Sequence, residues 1–205
     1  SNFSRYEEVS GRIMEIVAKH APVMEQVSVD EAFMDLIGAG TFQDARKICE
    51  RLKREIFARE RLSASVGVGP NKLIAKIASD MQKPDGLTVV RKEEVEAFLE
   101  PLPIRKIPGI GPKAEILFLK KGIRLVRDLK KISREEMKKM LGKWGEDLYT
   151  KIRGQDESPV GNDAEIKSIG EQETFSHDTR DSLFLTERLA QLCQSVIARF
   201  KKSGF

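Results

Sequence analysis

Cysteine, histidine and long apolar runs are all scarce in this 205-residue sequence, and each shortage narrows what it can do. The two cysteines, Cys49 and Cys193, stand far apart inside stretches of helical periodicity. That argues against a disulfide framework or a cysteine-based zinc site, and a reducing cytoplasm is the simplest setting. His20 and His177 are isolated, so they read as surface or satisfied histidines rather than catalytic ones. No apolar run approaches the roughly 20 residues that a membrane span needs. The opening Ser1-Asn2-Phe3-Ser4-Arg5-Tyr6 is not a secretory signal, because no apolar run follows a basic cluster. The expectation is a cytoplasmic protein with no membrane partner.

What remains is an ordinary soluble composition, 40% hydrophobic and 33% charged, with a net charge of +4. The charge is unevenly spread. Residues 101–154 hold 15 Lys and Arg against 6 Asp and Glu, a surplus of 9, so the rest of the chain carries a deficit. A basic module suits a nucleic-acid backbone. A solvated helical face has the same composition, and charge alone leaves both readings open.

Helical spacing of Tyr6, Val9, Ile13, Ile16 and Val17 predicts a first helix ended by Pro22. Met24 to Val29 and Ala32 to Ile37 read as strands with Asp30-Glu31 at the corner between them. A long helix follows over Phe42 to Arg59, with Ala45, Ile48, Leu52 and Ile56 inward. Ser63 to Val68 is β-rich, Asn71 to Met81 a short helix, and Leu87 to Val90 a short strand. The order α-β-β-α-β is a ferredoxin-like β-α-β-β-α-β unit without its first strand, which is normally central. From Glu93 to Gly154 everything reads as helix, with a capping box at Ser133 and Glu136. A polar stretch holding Pro159 and Gly161 suits a linker. Lys167 to Phe175 then reads as a strand and Ser182 to Lys202 as a helix, a β-α pair too small to bury its own faces. The fold class is α+β, with an incomplete first domain at 1–91, a helical domain at 92–158, a linker at 159–166 and an incomplete domain at 167–205.

Three places could carry chemistry. Ser28-Val29-Asp30-Glu31-Ala32-Phe33 puts two carboxylates at a hairpin corner, where neighbours can converge as they could not on a straight strand. Hard divalent cations such as Mg²⁺ take such oxygen ligands, and two ions about 3.5–4 Å apart can activate a hydroxyl and stabilise a leaving pyrophosphate. A plain polar hairpin tip has the same spelling. Ile107-Pro108-Gly109-Ile110-Gly111-Pro112-Lys113 is a tight turn between helices. Its glycines let backbone N–H groups approach a phosphate, and the next helix adds its positive end and Lys113 a charge. This is the spelling of a helix-hairpin-helix, the alternative being a plain αα-turn. Gly142-Lys143-Trp144-Gly145 is a weaker echo, in which Trp144 also reads as core. The third place is Gly67-Val68-Gly69-Pro70-Asn71-Lys72 with Lys76 and Lys83 beyond it. Lys72 and Lys76 share a helix face, and Lys83 could reach a triphosphate. No Walker loop is present, and spacing alone favours surface lysines here.

Together these segments resemble the Y-family (lesion-bypass) DNA polymerases, most closely the DinB branch. Ser28-Val29-Asp30-Glu31-Ala32-Phe33 resembles the family's palm motif. Ser65-Val66-Gly67-Val68-Gly69 and Leu73 through Gly86 resemble its second palm motif almost continuously, Ile107 to Gly111 its thumb hairpin, and Lys167-Ser168-Ile169-Gly170 the opening of its little finger. The resemblance implies a template-directed, error-prone polymerase that adds deoxynucleotides to a primer 3′ end by two-metal nucleotidyl transfer. Asp30 and Glu31 would be catalytic and hold two Mg²⁺ ions, and Lys83 would contact the incoming triphosphate. Gly109 and Gly111 would meet primer-strand phosphates, with Lys113, Ser28, Lys72 and Lys76 also in the DNA-binding set. The implied partners are primer–template DNA, deoxynucleoside triphosphates and, in the full-length protein, a sliding clamp.

The same resemblance implies that the family's first strand, with its metal-binding Asp, the fingers and the end of the little finger lie outside these 205 residues. A fragment of that extent is expected to be inactive alone. The rival class is a non-catalytic DNA-binding module built on the helix-hairpin-helix. Nucleotide cyclases share a palm-like acidic hairpin, but they carry Gly-Gly where Ser28-Val29 stands and have no use for a DNA-gripping thumb.

Overall fold

The computed structural model describes residues 3–161 and 168–203. The chain divides into two compact units, Ser1–Asn162 and Asp163–Phe205. The first holds α1 (Phe3–Ala18), β1 (Val23–Gln26), β2 (Ala32–Asp35), α2 (Phe42–Glu60), β3 (Val66–Val68), α3 (Lys72–Ser79) and β4 (Leu87–Val89). Five short helices follow: α4 (Val95–Leu99), α5 (Pro112–Leu119), α6 (Val126–Leu129), α7 (Arg134–Leu141) and α8 (Lys143–Lys151). The second unit holds α9 (Ser182–Ser203).

The first helix-strand-strand-helix run forms as its pattern predicts. Thr41 caps α2 by accepting from Asp44 N at 3.1 Å, and the helix stops where Arg61 turns left-handed at φ 57°. Its buried stripe is Ala45, Cys49, Leu52 and Ile56, a 4-3-4 spacing, so Cys49 takes the place expected of Ile48. Strand β1 ends earlier than its alternation suggests. Val27 N and Ser28 N both donate to Glu31 O, at 2.9 and 3.2 Å, and this closes the loop before Val29 can continue the ladder.

Strands β1 and β2 form an antiparallel hairpin, and β3 and β4 a parallel pair; no ladder joins the two sheets among the described residues. Both pack on α2, with Met24 and Met34 against Leu52 and Ile56, and Val66, Val68 and Val89 against Ala45 and Cys49. A ferredoxin-like unit without its central first strand leaves such a split. Close approach holds β3 to α3. A Cβ on Gly67 would stand 2.0 Å from Ala75 O, so only glycine fits there.

The largest core runs from α3 through the helical segment, joining Ile74 and Ile77 to Leu99, Phe118, Leu148 and Ile152. Each such side chain contributes about 1.5–3 kcal/mol by leaving water. The segments 1–91 and 92–158, expected as two domains, therefore share one core. Their joint is also polar. Asn71 Nδ2 donates to Gly154 O at 2.7 Å, and the Asp156 carboxylate accepts from Leu73 N at 3.0 Å, which puts a negative charge at the start of α3. Of the expected linker, Pro159 and Gly161 are tied back to the first unit through Lys72 and Glu25, while residues 162–166 lie outside the described ones.

The strand expected over Lys167 to Phe175 is not formed: Lys167 lies outside the described residues, and 168–175 hold no strand. A strand needs a hydrogen-bonded neighbour, and residues 168–203 supply only α9. This segment instead meets α9 through the Phe175–Phe184 ring contact, at 5.2 Å, and the Glu173–Arg188 ion pair. Leu183, Leu189 and Ile197 of α9 remain exposed.

Candidate active site

The hairpin tip places Asp30 and Glu31 beyond the last β1–β2 pair, Gln26 with Ala32. Ser28 shapes the tip. Its hydroxyl donates to Asp30 Oδ1 at 2.7 Å and accepts from Asp30 N at 3.3 Å. Asp30 is exposed and Glu31 half-exposed. Glu31 carries an ion pair with Lys76 of α3. One turn earlier on the same face, Lys72 pairs with Glu25 of β1, 2.6 Å from Oε2 and 5.1 Å from the centre of the Phe33 ring. The two lysines thus dock α3 on the acidic hairpin. Lys72 belongs to the expected DNA-binding set, but its ammonium is turned inward, only 17% exposed, with Glu25 and Pro159 O as acceptors. Lys72 and Gly161 N together hold the Glu25 carboxyl below the usual range.

Lys83 leaves the chain just after α3. It pairs with Asp80 Oδ1 at 2.5 Å and is more than half exposed. The Asp80 carboxylate holds its ammonium above the ordinary lysine value, with smaller contributions from the fields of Glu31 and Asp30. Burial pushes the Asp80 carboxyl up, but the bond to Lys83 and the charges of Lys76, Lys83 and Lys106 outweigh this and bring it down. The acidic tip, Lys76, Asp80 and Lys83 therefore form one chain of alternating charges.

The donor set at the tip is carboxylate oxygen only. It matches a hard divalent ion that keeps waters and takes further oxygens from a substrate. Among the described residues, no group of three or more His, Cys, Asp or Glu is placed to hold a metal ion.

The glycine hairpin sits in the helical part. A 3₁₀ turn at Ile104–Lys106 precedes it, and α5 begins immediately at Pro112, with Gly111 as its N-cap. Gly109 has φ +99°, a conformation that side chains disfavour. Arg105 braces the turn by donating from Nη1 to Ile110 O. Ile110 is buried, whereas Gly109 and Lys113 face solvent. The echo at Gly142–Gly145 joins α7 to α8, where a Cβ on Gly145 would meet Met137 O at 2.1 Å. Trp144 is partly buried against the core, and its indole nitrogen lies 3.4 Å from the Cβ position of Gly109. It therefore supports the hairpin from beneath.

Sequence reasoning missed Lys53. Its ammonium, 14% exposed on α2, bonds to Ala64 O, Asp85 O, Asp85 Oδ1 and Gly86 O at 2.6–3.1 Å. Its place beside the inward stripe of α2 was the only signal. His20 pairs with Glu55 at 2.8 Å, and His177 meets the Ser176 hydroxyl at 3.1 Å. Among the described residues, no helix is long and apolar enough to cross a membrane.

Comparison with known proteins gives a consistent match. The impB/mucB/samB family profile matches residues 1–80, and the profile described as DNA polymerase-iota, thumb domain, matches residues 105–156. DNA polymerase IV of Methanoculleus marisnigri is 43% identical over 191 residues, which is 93% of this chain and 53% of that protein. DNA polymerase IV of Xanthomonas campestris pv. campestris is 37% identical over 218 residues, 100% of this chain and 61% of that protein. The chain thus spans between half and two-thirds of these relatives' length. Among solved structures, a Y-family DNA polymerase chimera of Dbh and Dpo4 matches with a TM-score of 0.86 at 34% identity, over 97% of this chain and 58% of that one. DinB from Sulfolobus solfataricus matches with a TM-score of 0.73 at 36% identity, over 78% and 48% respectively. Matches in both sequence and fold, running in one order from the acidic hairpin to the glycine turn, show that the chain belongs to the DinB and DNA polymerase IV branch of the Y-family DNA polymerases.

Proposed function

We propose that this chain is the palm and thumb portion, with the start of the little finger, of a cytoplasmic lesion-bypass DNA polymerase that extends a primer on a template. The observation that carries this reading is the acidic hairpin tip facing the lysines of α3 and the turn after it. Asp30 and Glu31 would hold Mg²⁺, which when bound supplies charge neutralisation for the attacking primer hydroxyl and the leaving pyrophosphate. Ser28 fixes the Asp30 carboxylate through its hydroxyl. Lys83, exposed and paired only across the surface with Asp80, is free to exchange that partner for a triphosphate oxygen. Lys76 would follow the same exchange near the primer end, when Glu31 turns to the metal.

Gly109, Gly111 and Lys113 would grip the primer-strand backbone without reading bases. Deoxynucleoside triphosphates and primer–template DNA are the proposed substrates, and a sliding clamp is the proposed partner of the relatives' full-length form. The test is primer extension with Mg²⁺ by this sequence within a chain of its relatives' full length. Asp30→Ala and Glu31→Ala are each expected to abolish extension, and extension surviving both would overturn the site assignment. The second reading, a DNA-binding module without catalysis, draws on the glycine turn, where Gly109 and Lys113 face solvent. It predicts that the full-length form binds primer–template but incorporates nothing.

A further inference from the structure

Lys53 stands apart from the charges described above because its ammonium faces backbone. It donates to four oxygens: three are backbone carbonyls, Ala64 O at 2.7 Å, Asp85 O at 2.6 Å and Gly86 O at 3.1 Å, and the fourth is Asp85 Oδ1 at 2.7 Å. These acceptors come from two segments, the run into β3 and the turn into β4. An ammonium has three protons to give, so here its donor capacity is spent on tying the turn and the run into β3 to α2.

That turn is Pro84-Asp85-Gly86, and it follows Lys83 directly. Its shape is demanding. Asp85 has φ +63°, and a Cβ on Gly86 would stand 2.3 Å from Gln82 O. Gly86 N also donates to Ser65 Oγ at 3.3 Å, and Val66 N to Gly86 O at 3.0 Å, so the turn is laced to the head of β3. Lys83 is thus held between two fixed points, the C-terminal end of α3 and a turn clamped from behind by Lys53. Its own side chain is mostly exposed, and among the described residues Asp80 is its ion-pair partner. The backbone must therefore set where the Lys83 ammonium starts.

We infer that Lys53 is a positioning residue for the triphosphate contact, acting through the Pro84-Asp85-Gly86 turn on Lys83 without touching the nucleotide. This rests on the reading of Lys83 as a triphosphate ligand. Removing the clamp leaves Lys83 present but poorly placed, so nucleotide binding weakens while the acidic tip stays as it was.

The experiment is steady-state incorporation of a single deoxynucleotide by the full-length form, with Lys53→Met, Asp85→Asn, Lys83→Ala and Lys53→Met/Lys83→Ala. Lys53→Met keeps the stem and loses the cation, and is expected to raise KM for the nucleotide about five- to tenfold with kcat within about twofold, the pattern of lost ground-state binding. Asp85→Asn removes one arm of the clamp and should raise KM by a smaller factor; it serves in place of Lys53→Met should that variant not fold. In the double variant, Lys53→Met should add nothing to the effect of Lys83→Ala, because two groups acting as one unit are not additive. Primer–template affinity should be unchanged in all four. Independent, multiplying effects of the two changes, or an equal fall in DNA affinity, would mean that Lys53 only supports the fold and would overturn the inference. An unchanged KM in Lys83→Ala alone would instead overturn the assignment of Lys83.

Discussion

Replacing Gly111 by alanine separates DNA grip from fold. Gly111 has φ −81° and ψ 174°, ordinary extended backbone, and the nearest atom to its Cβ position is Arg105 Nη1 at 3.8 Å. Within the protein the methyl group therefore makes only an ordinary contact. It also sits at the N-cap of α5, where glycine is favoured over alanine, so the stability cost is within about 1 kcal/mol. Outside the protein the same methyl group stands where a phosphate would approach the turn amides. A hydrogen bond to a charged group contributes about 1.5–3 kcal/mol, so losing one amide–phosphate contact should weaken primer–template binding roughly ten- to hundredfold. The measurement is fluorescence anisotropy of labelled primer–template at several salt concentrations, with thermal melting of the same samples. Because the lost donor is an uncharged amide, the salt slope should stay as in the unaltered chain, whereas Lys113→Ala should reduce it by about 0.9. Gly109→Ala is the contrasting case. At φ +99° and with the Trp144 indole nitrogen 3.4 Å from the new Cβ, it should cost about 1–2 kcal/mol of stability as well as affinity. Wild-type affinity in a folded Gly111→Ala chain would refute the claim that these amides hold phosphate.

Other outcomes follow from the same geometry. Gly67→Ala drives a Cβ to 2.0 Å from Ala75 O and 2.4 Å from Ser79 N, backbone that cannot step aside, so a loss of about 3 kcal/mol or more in urea unfolding is expected. Burial raises the Cys49 thiol to about 11, so at pH 8 a thiol reagent should label exposed Cys193 and spare Cys49 until the chain is unfolded in urea. The Glu25 carboxyl is held below its ordinary 4.5 by Lys72, and a depressed carboxyl stabilises above its unfolded value and loses that contribution as pH falls through the folded one. Stability should therefore drop on acidification below about pH 4.5, and Glu25→Gln should flatten that drop; an identical acid slope in the variant would contradict the pairing.

How much of this was legible in the residues depends on how local each signal is. The hairpin corner at Asp30-Glu31 and the Ser133–Glu136 capping box depend on neighbours a few residues apart, and they form as the spacing predicts. The strand expected over Lys167 to Phe175 fails for the opposite reason. A ladder needs a partner, and residues 168–203 offer none. The change to an all-helical pattern suggested a boundary near residue 91; that Ile74 and Ile77 share a core with Leu99 and Ile152 could not be read there, because contacts across some 80 residues leave no mark on local pattern.

The same limit explains the lysines, and it bears on the site itself. Lys53, Lys72 and Lys83 are chemically identical in the sequence. What divides them is the acceptor each one meets, and those acceptors lie far along the chain for two of the three: Asp85 for Lys53, Glu25 for Lys72 and the nearby Asp80 for Lys83. Lys53 and Lys72, at 14% and 17% exposure, spend their charge on holding segments together, whereas Lys83 at 57% keeps its charge at the surface beside the acidic tip. A cation that must meet a mobile, highly charged ligand works best when it is exposed and its backbone is fixed. On the proposed reading, the inward lysine at position 53 would supply the fixing and the outward one at position 83 the contact, so the basic residues of this fold are better sorted by what they face than by how many there are.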